Sequence, residues 1–280
     1  MASLFLVSTP IGNLEDVTQR ARRVLGEVHV VFAEDTRRTR ILLEHLELRT
    51  PLRSLHQHNE ASRVDEVLEL LAGGQSLALV SDAGTPGISD PGHRLVEAVL
   101  EAGHQAVPIP GPSAVLAALT ASGLPSAIFT FLGFPPRKGK ERRRLLERVS
   151  RSDETVVLFE SPHRLVALLD DLWGATGGDG RTAAVTRELT KLHEEVQRGT
   201  LEALAGYYRE HPPRGEITLV VSPRPAGAAS DEPSEEEAAD LARRLRQGGM
   251  SASAAARELV RLTGLSRNEA YRLTQELEPS

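Results

Sequence analysis

The chain has 280 residues, of which 40% are hydrophobic and 26% charged, with a formal net charge of −6. That length buries a sizeable core and favours two lobes over one, and the apolar content excludes a disordered chain. With no cysteine present, disulfides, thiolate metal sites and cysteine nucleophiles are excluded.

Short apolar runs alternate with helical patterns from the start. Strands are expected over Leu4 to Ser8, Val28 to Ala33, Leu52 to Leu55, Leu77 to Val80 and Ala106 to Ile109. Helices are expected between them over Val17 to Leu25, Thr36 to Leu46, Val64 to Leu71 and Arg94 to Glu101, then from Ser113 to Ala121, where Pro112 opens the first turn. This alternation predicts a parallel α/β sheet. The opening apolar run is too short and lacks the basic flank of a signal peptide. No apolar stretch approaches the roughly 20 residues of a membrane span, so a cytoplasmic protein with no membrane partner is expected. His56 and His58 sit at a strand end as polar loop residues, and the nine histidines have no ligand spacing, so no metal is expected.

Gly and Pro in Ala121 to Pro125 break the pattern and set the boundary between a first lobe, 1–121, and a second, 122–223. The second lobe reads as strands Ile128 to Leu132, Thr155 to Phe159, Thr182 to Arg187, Glu194 to Gly199 and Glu216 to Val221, with helices Arg142 to Val149, Leu165 to Trp173 and Leu201 to Tyr208. The short connection Glu188 to His193 makes this sheet mixed or partly antiparallel. A Pro, Ala, Gly and Ser-rich linker over 224–234 leads to a helical appendage over 235–280, with helices Glu235 to Arg246, Ser251 to Leu262 and Ser266 to Leu277. Thr263-Gly264-Leu265 is a turn of helix-turn-helix length, which suits a plain bundle and a nucleic-acid module equally.

The strongest local signal is the apolar strand ending at Val80 and running into Ser81-Asp82-Ala83-Gly84-Thr85-Pro86-Gly87-Ile88-Ser89-Asp90-Pro91-Gly92. Ligands of open α/β sheets bind at strand carboxyl ends, glycines admit close backbone approach, and the aspartates offer carboxylates to a cation or a hydroxyl. A tight turn with capping aspartates is the plain alternative. Pro108 to Ala114 is a second strand end running into a helix N-terminus, with a Pro-rich helix start as the plain alternative, and two such loops at neighbouring strand ends favour a cleft more than either does alone. Glu34, Asp35 and Arg37, Glu160, and the charged run Arg187 to Glu195 also fall at strand ends. Gly178-Asp179-Gly180-Arg181-Thr182-Ala183 fits a dinucleotide fingerprint in spelling only: it follows a helix and opens a strand, the reverse of the required context. Between Arg137 and Arg151, eight cations stand against two carboxylates. That makes Arg137, Lys138, Lys140, Arg142 and Arg143 phosphate-binding candidates, against the alternative of a solvated helix face. A weaker basic surface of seven arginines and three glutamates runs from Arg243 to Leu277.

Leu6 to Leu14, Glu34-Asp35-Thr36-Arg37, Ser81 to Gly92, Pro110 to Ala114, Phe131-Leu132-Gly133-Phe134, Glu160-Ser161-Pro162-His163-Arg164 and Arg187 to Glu195 together resemble the small-subunit ribosomal RNA methyltransferase I family of the tetrapyrrole methylase superfamily, in order and over nearly the whole chain. The resemblance implies a homodimer of two α/β lobes holding S-adenosylmethionine in the cleft between them. It also implies 2′-O-methylation of a cytidine ribose in 16S rRNA of the small ribosomal subunit. Carried over residue by residue, its cofactor site falls on Asp82, Ala83, Gly84, Thr85 and Ile88, on Ser113 and Ala114, and on Leu132, Phe159 and Glu216. Where corrin and siroheme relatives have Gly-x-Gly-x-Gly after the first strand, this chain has Ser8-Thr9-Pro10-Ile11-Gly12, which speaks against a tetrapyrrole substrate.

Methyl transfer to a ribose oxygen needs alignment and a group that takes or orients the hydroxyl proton. Asp35, Glu188 and Lys191 are the candidates, with Arg37 on phosphate; Lys191 serves as a base only if its pKa is lowered. Two other functions fit part of the pattern. One is methylation of a tetrapyrrole or other small molecule, which needs neither the basic segment nor the appendage; the other is a non-catalytic rRNA-binding assembly factor, which does not need intact cofactor loops.

Overall fold

The computed structural model describes residues 2–56, 59–225 and 235–275. His58, most of the expected linker and the end of the last appended helix, Leu277 included, lie outside the described residues. The chain forms two compact units, Met1–Arg224 and Pro225–Ser280.

The first unit opens with strands β1 (Ser3–Val7), β2 (Val30–Ala33), β3 (Leu52–Ser54), β4 (Leu77–Val80) and β5 (Gln105–Ile109), joined through helices α1 (Gln19–Glu27), α2 (Thr36–His45), α3 (Glu60–Ala72) and α4 (His93–Glu101). They form one sheet in the order β3-β2-β4-β1-β5, parallel throughout. Alternation along each strand feeds two cores. Val31, Ala33, Ala78 and Val80 pack with Val24 and Leu25 of α1 and Leu42 and Leu43 of α2. Val30, Phe32, Leu77 and Leu79 pack on the other face with Val67 and Leu71 of α3 and Leu95 and Val99 of α4. Both faces being covered, these strands are continuous apolar runs, as the sequence reads. β2 begins two residues later than expected because the Val28 N–H is bonded to Val24 O and closes α1.

Helix α5 (Ala114–Ser122) leads to β6 (Phe129–Phe131), α6 (Gly139–Ser150), β7 (Thr155–Glu160), α7 (Leu165–Ala175), β8 (Thr182–Arg187), β9 (Glu195–Thr200), α8 (Leu201–Glu210) and β10 (Ile217–Val221). This second sheet has the order β6-β7-β10-β8-β9. Only the β6–β7 pair is parallel, so the sheet is mixed, as the short β8–β9 connection predicts. Leu168, Leu169 and Leu172 of α7 and Leu201, Leu204 and Tyr208 of α8 cover one face. The other face is covered by α5, whose Val115, Ala118 and Leu119 pack on Val157, Ala184 and Val220. Gly178 to Ala183 contains the end of the α7–β8 connection, and its Arg181 is a buried structural residue: its guanidinium donates to Val149 O at 2.6 Å and Ser150 O at 2.7 Å and pairs with Asp179 at 3.0 Å.

The second unit holds α9 (Glu235–Gln247), α10 (Ala252–Thr263) and α11 (Arg267–Gln275). Ala242, Ala256, Leu259, Ala270 and Leu273 make its small core. Ser251 caps α10, and Gly264, at φ 74°, ends it in the left-handed conformation that lets the chain turn into α11.

Candidate active site

Three loops at the carboxyl ends of β1, β4 and β5 are bonded into one floor. Thr9 and Gly84 exchange backbone hydrogen bonds of 2.9 and 3.0 Å, and the Ser8 and Thr85 hydroxyls lie 3.0 Å apart. Gly111 lies so close to the first loop that a Cβ there would meet Ser8 Cβ at 2.9 Å. The β4 loop is thereby held open toward a cavity of about 460 Å³ between the two sheets, within the size range of small-molecule cofactor sites.

Nine of the expected cofactor residues line that cavity: Asp82, Ala83, Gly84, Thr85, Ile88, Ser113, Ala114, Phe159 and Glu216. Leu132 does not. It packs against the core beneath α7 and α8, and its N–H donates to Val157 O. The aromatic wall is instead Phe134 beside Phe159, ring centroids 5.4 Å apart, with Phe131 edge-on to Phe159 at 4.9 Å. Ile88 and Phe134 keep about half their surface uncovered on this wall (48% and 57%), which suits a flat apolar ligand group.

The opposite character is acidic. Glu34, Asp82 and Asp90 line the cavity together with Arg38. Asp82 accepts from the Asp35 N–H at 2.9 Å and lies 3.6 Å from Arg38. Burial first, then the Glu34 carboxylate, push the Asp90 carboxyl up to about 6, and burial with the neighbouring Asp82 raises Glu34. Such a cluster favours a cationic ligand. Glu160 is almost wholly buried on the same wall, its Oε1 accepting from Ser161 N–H at 2.7 Å and its Oε2 ion-paired with Arg164 at 3.2 Å.

The four expected reaction residues fall in two places. Asp35 caps α2, accepting from Arg37 N–H at 2.9 Å and pairing with the Arg37 guanidinium at 2.6 Å. Those hydrogen bonds hold its carboxyl near 2, a weak proton acceptor, and Arg37 extends into solvent beside the wall. Glu188 and Lys191 gather around Glu216, which lines the cavity. Lys191 Nζ lies 2.8 Å from Glu188 and 3.0 Å from Glu216, and Glu188 also accepts from the Glu216 N–H at 2.9 Å. Burial alone would lower the Lys191 pKa, but the two carboxylates outweigh it and raise it. The lowered value that base chemistry at Lys191 requires is therefore absent, and the side chain is a fixed cation. Burial likewise opposes ionisation of Glu188, and the bonds from Lys191 and the Glu216 backbone overcome it, lowering its pKa.

Two glycines make room for this group. A Cβ on Gly12 would meet Lys191 Cγ at 2.5 Å, and one on Gly215, at φ 83°, would strike the Glu188 carboxylate. Neither glycine, nor Arg38 nor Phe134, is marked as a site residue by the sequence. Arg38 was findable as a cation in the first turn of the helix that follows Glu34 and Asp35, whereas the glycines reveal themselves only through side chains distant in sequence.

Of the basic candidates, Arg137, Lys138, Lys140 and Arg143 are exposed at or near the start of α6. Arg142 is not available in the same way: its guanidinium pairs with Asp171 at 2.6 Å and donates to Pro136 O at 3.0 Å, fastening α6 to α7.

Residues 3–205 match the family Tetrapyrrole (Corrin/Porphyrin) Methylases, and the two-sheet architecture agrees with it. Uroporphyrin-III C-methyl transferase from Thermus thermophilus, solved in complex with S-adenyl homocysteine, superposes with a TM-score of 0.58 at 19% identity, covering 79% of this chain and 97% of that one. The chain belongs to this methylase family. Within it, the chain is 47% identical over 281 residues to ribosomal RNA small subunit methyltransferase I of Synechocystis sp., covering 99% of each. It is also 47% identical to the protein of that name from Mesorhizobium japonicum over 279 residues, 99% of this chain and 92% of that one. These identities put it in the ribosomal RNA small subunit methyltransferase I branch.

Proposed function

We propose that the protein transfers a methyl group from S-adenosylmethionine to the 2′-hydroxyl of a cytidine in 16S rRNA of the small ribosomal subunit, with the donor held between lobes 1–121 and 122–223. One observation carries this reading: an acidic, partly aromatic wall lines a cavity whose lining includes Glu216, and Glu216 is ion-paired to Lys191 and through it to Glu188, in a chain whose full-length relatives are named for methylating small-subunit rRNA.

When bound, S-adenosylmethionine supplies an electrophilic methyl on a sulfonium. Asp82, Asp90 and Glu34 would counter the cationic charge of the donor, Phe134, Phe159 and Ile88 would cover its flat base, and the N-terminus of α5 at Ser113 and Ala114 would hold its carboxylate. Lys191, kept protonated by its two carboxylates, would orient the ribose hydroxyl or its phosphate, Glu188 would hold Lys191 in place, and the hydroxyl proton would pass to water as the oxygen takes the methyl. Exposed cations of α6 hold the RNA backbone. The second copy of a homodimer is supported by apolar side chains left in solvent, Ile128 and Leu192 among them.

The test is transfer of labelled methyl to isolated small subunits, naked 16S rRNA and uroporphyrinogen. Label on ribose in RNA is expected, and Lys191→Met lowers that rate about 100-fold or more while the donor still binds. Label on the pyrrole compound overturns the reading, and donor binding without transfer assigns an assembly role. Sedimentation of the free protein checks the dimer.

A further inference from the structure

Behind the strand ends that carry Glu188 and Glu216 lies a second recess, of about 360 Å³, lined by Arg187, Glu195, Tyr207, Tyr208, His211 and Arg214 with two prolines. Arg187 precedes Glu188 and Arg214 stands two residues before Glu216, so Cα atoms of the two recesses are at most about 7 Å apart along the chain. Glu188 N–H donates to Glu216 O at 3.0 Å, making one wall between them.

The recess is built from flat and cationic groups. The His211 ring stacks on Tyr207 with centroids 4.5 Å apart and planes 21° from parallel, and Tyr208 stands edge-on to Tyr207 at 5.0 Å. The Tyr207 hydroxyl is fixed by Gln197 and Glu195, each at 3.3 Å, and Arg187 by Glu195 at 2.8 Å. Glu195 thus neutralises Arg187 and leaves Arg214, exposed and without an ion pair among the described residues, as the excess charge. The Tyr208 hydroxyl is buried without any hydrogen-bond partner. Burial first, then the Glu195 charge, push its pKa up, so it stays a protonated donor. An orphaned donor, an exposed ring face and a spare guanidinium at one recess match an aromatic base joined to an anion.

We propose that this recess binds a nucleotide flanking the methylated one, its base stacked on His211 and its phosphate on Arg214. This rests on the reading of RNA as substrate. A free nucleotide offers the same chemistry, and the experiment separates the two sources.

Full-length protein is assayed with small subunits for kcat and KM, for donor affinity, and for binding of CMP alone. His211→Ala raises the RNA KM roughly tenfold, the worth of one stacked base, with donor affinity and thermal midpoint unchanged. His211→Phe restores the KM although it loses the 3.0 Å contact of His211 Nδ1 with Tyr207 O, which a purely capping role does not allow. Arg214→Ala, at an exposed position, reduces the slope of log affinity against log salt by about 1. An unchanged KM in His211→Ala and an unchanged slope in Arg214→Ala, in a protein that methylates RNA, overturn the subsite alone. CMP binding that depends on His211 while the RNA KM stays constant assigns the recess to a free nucleotide and likewise overturns it. Absence of any RNA methylation by the unaltered protein overturns the functional reading and this proposal with it.

Discussion

The backbone N–H of Asn13 donates to Thr190 Oγ1 at 3.1 Å, tying the loop after β1 to the loop that carries Lys191. Glu188 and Thr190 both hold positive φ, 51° and 68°, in that second loop, a conformation that side-chain-bearing residues keep only when their surroundings enforce it. Gly12, one residue before Asn13, is part of the enforcement because it leaves space for the Lys191 stem.

Gly12→Ala is therefore expected to displace Lys191 from Glu216 and lower kcat roughly tenfold to hundredfold. Donor affinity stays within about twofold, since Gly12 is not on the cavity wall. Single-turnover transfer beside equilibrium donor binding checks this, and an unaltered kcat would show that Lys191 needs no such space.

Asp90 gives a pH signature. Its carboxyl, raised from 3.8 to about 6 in the fold, contributes stability that is fully present below about pH 4 and is lost as pH rises through about 6. Asp90→Asn should therefore leave stability unchanged near pH 4 and raise it at pH 8 by on the order of 1 kcal/mol, the half-buried site being partly screened. Binding of a cationic donor to the unaltered protein should tighten as pH rises through about 6, and this dependence should flatten in the variant. Thermal melts and calorimetric titration across that range measure both.

The basic helix separates into two kinds of arginine. Replacing Lys138, Lys140 and Arg143 with Ala should weaken RNA binding and reduce the log–log salt slope by about 2 to 3 while the melting temperature holds. Arg142→Ala should instead lower stability by about 1 to 2 kcal/mol, because Asp171 and Pro136 O lose their donor. Unchanged RNA affinity in the triple variant would return α6 to an ordinary solvated face.

Arg181 tests the second sheet. Its side chain is fully buried between Asp179 and the last carbonyls of α6, so Arg181→Met should cost about 3 kcal/mol or more by leaving those acceptors unpaired. Adding Asp179→Leu should recover part of the loss, which a double-mutant cycle in denaturant resolves.

The strands were legible because both faces of each central one are buried and the apolar runs are unbroken. The β4 loop was legible because strand ends carry ligands in this class of sheet. Leu132 was not, since which side of a sheet a residue takes depends on register with β7, and the register is absent from the local pattern. Arg142 looks like its neighbours until Asp171, 29 residues on, is brought beside it. The charge state of Lys191 depends in the same way on Glu216, 25 residues away.

Helix α5 leaves the first sheet at Ser113, on the cavity wall, yet buries Val115, Ala118 and Leu119 on the second sheet. At its far end the Arg198 guanidinium holds the carbonyls of Ala121 and Ser122. The helix is a strut spanning both walls, and prising them apart would strip it from the sheet it covers. The width of the cavity is thus set during folding, and accommodation of a bulky partner falls to the surface loops around its mouth.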